Sequence, residues 1–223
     1  VPETHEQHAR KAFKPKHLVS GYITLLTSKD FMSAALGMCF SITPYFVLIG
    51  ILPLLFMEEL GVSIGNYAFY QGSIVGLFSV LSLSIPWFLA RFDLNKIAWI
   101  SAVLSVISLG GACILSVLVS DDPLLISAFM WVYVVGIVIP PTMMFAQAMD
   151  MFGDLKACAS SLIQSLRLLS MSVGTALAGA MYDGSFKPVA LVMFVFILLS
   201  VPMMMVVFKK NKPVLGDSLP AMH

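Results

Sequence analysis

The chain has 223 residues, 59% of them hydrophobic and only 11% charged, with a formal net charge of +1 and a mean hydropathy of +0.93. That composition lies well outside the soluble globular range, and so small a charge leaves no basic footprint for a nucleic-acid partner. Cys39, Cys113 and Cys158 show no CxxC spacing and read as small apolar packing residues.

In chain order, residues 1–29 read as a cytoplasmic leader. It carries Arg10, Lys11, Lys14, Lys16 and Lys29 and turns amphipathic near Leu18–Leu26. The chain opens on Val1 rather than Met, so a preceding segment is expected. His5-Glu6-Gln7-His8 falls one residue short of H-E-x-x-H and reads as solvated leader, so no metal site is expected. Residues 30–208 hold six long apolar stretches: Phe31–Phe56, Tyr67–Leu89, Ile97–Val119, Leu124–Gln147, Ala157–Met181 and Pro188–Phe208. Each approaches or exceeds the roughly 20 residues a helix needs to cross about 30 Å of hydrocarbon. Backbone there must satisfy its own hydrogen bonds, so the prediction is an all-α, polytopic membrane bundle of six transmembrane helices. Residues 209–223 read as an unstructured cytoplasmic tail.

The connections alternate in charge. Arg91 and Lys96 lie in the second, Lys156 in the fourth, and Lys209, Lys210 and Lys212 follow the last span. The intervening connections hold Glu58 and Glu59, then Asp121 and Asp122, then Asp183 with Lys187. Basic residues favour the cytoplasmic side, which puts both ends of the segment there and requires an even number of crossings.

Pro44 and Pro53 lie in the first span, Pro140 and Pro141 in the fourth. Two sets of three helices make these the leading helices of a 3+3 inverted repeat. Interrupted helices at matching places in such repeats point to a transport site, with the prolines as gating positions. Pro86 and Pro202, in other spans, show that membrane helices tolerate proline in any case.

Arg167 is the only charged residue deep inside a span. An arginine there costs about 2.5–3.5 kcal/mol on insertion scales, so its side chain must face protein or water. Ser160, Gln164, Ser165, Ser170, Ser172 and Thr175 add polarity to the same helix. The readings are a charge in a water-filled cavity or an arginine held by carbonyls freed at Pro140 and Pro141. Gly174 and Ala178, and Gly72 with Gly76 in the second span, have the spacing of close helix packing. Tyr45, Gln71, Met144, Tyr70, Tyr133 and Phe40 could line an amphipathic pocket. No phosphate loop, nucleophile elbow or paired intramembrane carboxylate is present, so neither an enzyme nor a cofactor is expected.

Val1-Pro2-Glu3-Thr4 before a basic cluster, Asn66-Tyr67-Ala68-Phe69-Tyr70 leading to Gly76, and Lys156-Ala157-Cys158-Ala159-Ser160-Ser161-Leu162 carry a resemblance. In that order and spacing they resemble the carboxy-terminal half of Bcr/CflA-like drug-resistance transporters of the major facilitator superfamily. The resemblance implies an antiporter half that works in the inner membrane with a missing amino-terminal six-helix half. It implies efflux of drug-like or small organic molecules against protons, and a central cavity faced by spans one, two, four and five. That adds weight to Tyr45, Gln71, Met144, Gln164 and Arg167 as substrate contacts. The connection Arg91–Lys96 departs from the superfamily's loop signature, and no buried carboxylate stands here to carry a proton. A six-helix assembly subunit without transport is the alternative.

Overall fold

The computed structural model describes residues 15–118 and 121–210; the His5–His8 motif and the tail beyond Lys210 lie outside them. Among the described residues every element is helical. In order they are α1 (Pro15–Thr27), α2 (Lys29–Pro53, continued by a π-helical turn Leu54–Glu59), α3 (Ile64–Arg91), α4 (Leu94–Leu118), α5 (Pro123–Ile137), α6 (Ile139–Met151), α7 (Lys156–Met181) and α8 (Phe186–Lys210).

Five segments are long and apolar enough to cross a membrane: Lys29–Glu59, Ile64–Phe88, Lys96–Leu118, Pro123–Met151 and Phe186–Phe208. The chain is thus built as a membrane-embedded helical bundle. The remaining expected span, α7, has the length at 26 residues but is not among the five. Arg167, Gln164 and its run of serines lower its apolarity.

Helix starts follow from capping residues. Ser28 accepts from the Phe31 N–H to open α2, with Asp30 in the first turn, and Ser63 does the same for α3 through Asn66 N–H. Asp122 accepts from Leu124 N–H at 2.7 Å, and Pro123 at the first turn of α5 needs no donor. Asp121 Oδ2 accepts from the Phe186 N–H at 2.7 Å, so the α4–α5 connection caps α8 from across the bundle. Gly61 and Gly184 turn the chain between helices at φ 63° and 86°, a region other residues enter at a cost.

Contacts fix the direction of each helix. Phe40 meets Phe196, and Gly37 faces Met203 and Met144, so α2 runs antiparallel to α8. Tyr133 reaches Ser41, which with Gly37–Met144 makes α5–α6 antiparallel to α2 as well. Tyr45 stacks on Phe78 and Phe56 meets Tyr70, giving the same sense for α3. Trp99 meets Phe208 while Gly110 meets Phe194, so α4 and α8 are antiparallel. α4 therefore runs parallel to α2, and so does α7: Cys39 meets Ile163, Thr43 meets Ser170, and Gly50 meets Thr175.

These directions gather Lys29, Arg91, Lys96 and Lys156 at one end of the bundle and Glu58, Glu59, Asp121, Asp122 and Asp183 at the other. At the acidic end Asp183 accepts from the Ser185 N–H and hydroxyl. Those bonds hold its carboxyl below the ordinary 3.8. A lowered value means the turn is supported above pH 3.8 and loosens as pH falls through the lower, folded-state value.

Backbones also come close where α5 crosses α4. A Cβ on Gly136 would stand 2.7 Å from the Ser101 carbonyl oxygen and 2.8 Å from the Ser105 nitrogen, both backbone atoms that cannot give way. Replacing Asp121 with Ala should lower stability by about 1 kcal/mol through loss of the α8 cap, while Asp121→Asn retains most of it. Thermal unfolding in detergent checks both.

Candidate functional site

α7 has three faces when its residues are set at 3.6 per turn. Ile163, Ser170, Gly174 and Ala178 are buried along one face, which packs on α2. A Cβ on Gly174 would meet the Val47 and Thr43 side chains at 3.0 Å or closer, so glycine lets the two backbones approach. Leu169, Val173 and Leu177 form an exposed apolar face suited to lipid. The third face carries Ser161, Gln164, Ser165, Leu168, Ser172, Ala176 and Gly179, all exposed, with Tyr22 of α1 reaching Ser161 at its start.

Arg167 falls between the buried seam and that open polar face, near the middle of the helix. It is half-buried, and its Nε is buried with no hydrogen-bond partner. It does not donate through that atom to the carbonyls freed at Pro140 and Pro141. Among the described residues no carboxylate lies deeper than the end turns of the membrane-crossing helices. The neighbours that α2 supplies at this level are the Cys39 thiol, which points to the Ile163 carbonyl, and the Thr43 hydroxyl, 3.0 Å from that of Ser170.

The remaining candidates sit elsewhere. Gln164 is exposed one turn before Arg167. Tyr45 is 5% exposed, stacked on Phe78 with ring centroids 5.0 Å apart. Gln71, on α3, is half-buried with its Oε1 buried and unpartnered; since Arg167 Nε is also unpartnered, these two atoms do not serve each other. Met144 and Tyr133 are wholly buried and lie in the packed interior rather than along an open pocket, Met144 with its methyl against Gly37. Gly72 and Gly76 do not close a helix pair within this chain, since a Cβ at either meets nothing within 4 Å.

The prolines differ from one another. Helix α2 runs unbroken through Pro44 and changes to a π-helical turn directly after Pro53. The fourth span breaks at Val138, with Pro140 and Pro141 opening α6. Pro86 and Pro202 lie inside continuous helices. Pro44 lacks an N–H, and beside it the Tyr133 hydroxyl donates to the Ser41 carbonyl at 2.6 Å. That side chain sits about one turn before the Val138 break, so one hydrogen bond ties the two proline-bearing spans together.

The interhelix bonds that escaped the sequence reading include Tyr133 to Ser41, Trp131 Nε1 to Ser73 at 3.0 Å, and Tyr22 to Ser161 at 2.6 Å. The last joins α1 to the start of α7, and Leu25 of α1 is wholly buried, so the last part of the expected leader is packed onto the bundle. The available signal was general: a hydroxyl or indole at membrane depth needs a partner.

No protein-family model matches the chain, and no curated protein matches it.

Replacing Tyr133 with Phe should destabilise the bundle by about 0.6–1.7 kcal/mol, the range of interhelix hydrogen bonds in membranes. Amide exchange should rise at residues 40–46 and 134–142 ahead of the rest, measured by hydrogen-exchange mass spectrometry.

Proposed function

We propose that this chain is the carboxy-terminal six-helix half of a major facilitator superfamily transporter of the Bcr/CflA drug-resistance type. It works in the cell inner (plasma) membrane, exporting drug-like or other small organic molecules by alternating access against an inward flow of protons. The observation that carries the proposal is the exposed face of α7 that bears Gln164, Ser165 and Ser172, with Arg167 at its edge. Serines, a glutamine and a half-buried guanidinium at membrane depth belong against water or protein, not lipid. In a two-domain transporter that face lines the cavity shared with the amino-terminal half.

Other features support the same reading. α7 lies parallel to α2 over matching depth (Cys39–Ile163 to Gly50–Thr175), as a fifth crossing beside a first must. With α7 counted, six crossings alternate in direction and divide as α2, α3, α4 and α5–α6, α7, α8. The leading span of each set is the one whose helix changes character, at Pro53 and at Val138, as expected of a 3+3 inverted repeat with gating elements at matched places. The basic end is the cytoplasmic one, so both termini of the segment are cytoplasmic. The bare glycines of α3 (Gly72, Gly76) and α7 (Gly179) are where helices of the other half approach closely. The proton-carrying carboxylate belongs to that other half, and Gln164 and Arg167 are the substrate-facing residues of this one.

In the complete protein, Arg167→Ala should lower transport at least tenfold while membrane expression and detergent elution profile stay near wild type. Unaltered transport kinetics would remove Arg167 from the mechanism. A wild-type protein that moves no substrate, yet elutes as a stable complex with another helical subunit, would favour the assembly reading.

A further inference from the structure

We propose that the solutes taken by this site are organic anions, with a carboxylate or sulfonate bound by Arg167 and an apolar body lying against the exposed Phe46 of α2. The inference rests on the cavity reading of the α7 face and goes beyond it by fixing the charge of the ligand.

The argument is one of unmatched charge. A buried cation held for structural reasons is normally paired, because a lone charge in low dielectric is strongly disfavoured. Here the groups facing Arg167 from the elements packed around it are neutral. On α2 they are Cys39 and Thr43; on α7 they are Gln164 and Ser170; α6 and α8 bring no acidic residue to this depth. Asp30, Asp150 and Asp154 lie at the ends of their helices, about 15 Å or more away along the axis at 1.5 Å per residue. The inner nitrogen of the guanidinium is buried and has no acceptor, so the bundle supplies no counter-group there, and the half-buried side chain meets an oxyanion through the part that remains exposed. A cationic solute would meet repulsion there with no carboxylate in this half to offset it. A planar fork of donors also favours two-oxygen acceptors over a halide. Gln164, exposed one turn away, supplies a neutral amide donor on the same side. Phe46, exposed on α2 two turns beyond Cys39, gives the apolar body a surface.

The test uses the complete protein in detergent with sodium benzoate as the anion, and benzamide and benzylammonium as neutral and cationic matches of the same ring. Benzoate, and neither match, should raise the unfolding temperature, with an apparent Kd read from the dose dependence. That Kd should weaken at least tenfold in Arg167→Gln and less in Arg167→Lys. Gln164→Glu gives a second arm that keeps the arginine: a carboxylate one turn away occupies the guanidinium and should weaken benzoate by a similar factor. Equal stabilisation by benzamide, no response to benzoate, or an unchanged Kd in both variants overturns the proposal. Uptake of labelled probes into proteoliposomes separates it from the transport reading. Arg167-dependent benzoate binding without uptake keeps the anion site and removes transport. Benzylammonium uptake that is indifferent to Arg167→Gln keeps transport and removes the anion site.

Discussion

A polar group in so apolar a bundle is either satisfied inside it or left exposed, and α7 carries both kinds. Its buried face is accommodated by α2, through the Thr43–Ser170 hydroxyl pair and through Gly174, where the backbones come together. Helices in lipid gain little from apolar burial against each other, since the tails are as apolar as leucine. Shape and hydrogen bonds therefore decide where α7 sits, and where it sits decides which way Arg167 can extend. Helix α2 is the one on which α3, α5–α6, α7 and α8 all converge, so the α2–α7 seam sets the azimuth of everything on the open face.

The interrupted spans place compliance in defined positions. A π-helical turn after Pro53 and a break at Val138 each remove regular hydrogen bonds from an otherwise continuous crossing. Tyr133 limits what those breaks can do by bridging from α5 to the Ser41 carbonyl beside Pro44. The close α4–α5 contact at Gly136, one residue from the end of α5, restrains the other side of the same helix. Val138 itself keeps helical dihedrals, φ −65° and ψ −40°, so the bend there joins a restrained α5 to α6, whose Met144 packs on Gly37 of α2.

Five membrane-crossing segments were legible from hydropathy alone, because apolar runs of that length leave the backbone no alternative to helix. α7 was legible as a long helix but is not among those five, and its placement beside α2 had to come from coordinates. What the sequence could not supply was azimuth. Tyr133, Met144 and Gln164 look equally suitable for a cavity when only their depth is known, yet the first two are wholly buried and the third is exposed. The small-residue pairs fail in the same way: Gly174 and Ala178 face α2, whereas Gly72 and Gly76 face no helix of this chain. α1 was legible only as a mildly amphipathic stretch, since one buried Leu25 and one Tyr22–Ser161 hydrogen bond are too few to shape a periodic pattern.

If Arg167 binds an anion, as proposed, the absence of an acid beside it among the described residues is what keeps its charge available. Had the fold needed a polar clamp between α2 and α7, a carboxylate at Cys39 or Thr43 would have neutralised the guanidinium and satisfied its nitrogens permanently. Such a pair would also have closed the site, because a solute would then have to displace an internal partner already at high effective concentration. A thiol and a hydroxyl at those positions are small enough to let the arginine stem into the seam and too weak to hold its charge. Under that proposal the guanidinium, unpartnered at its inner nitrogen, stays available at the edge of the exposed polar face of α7.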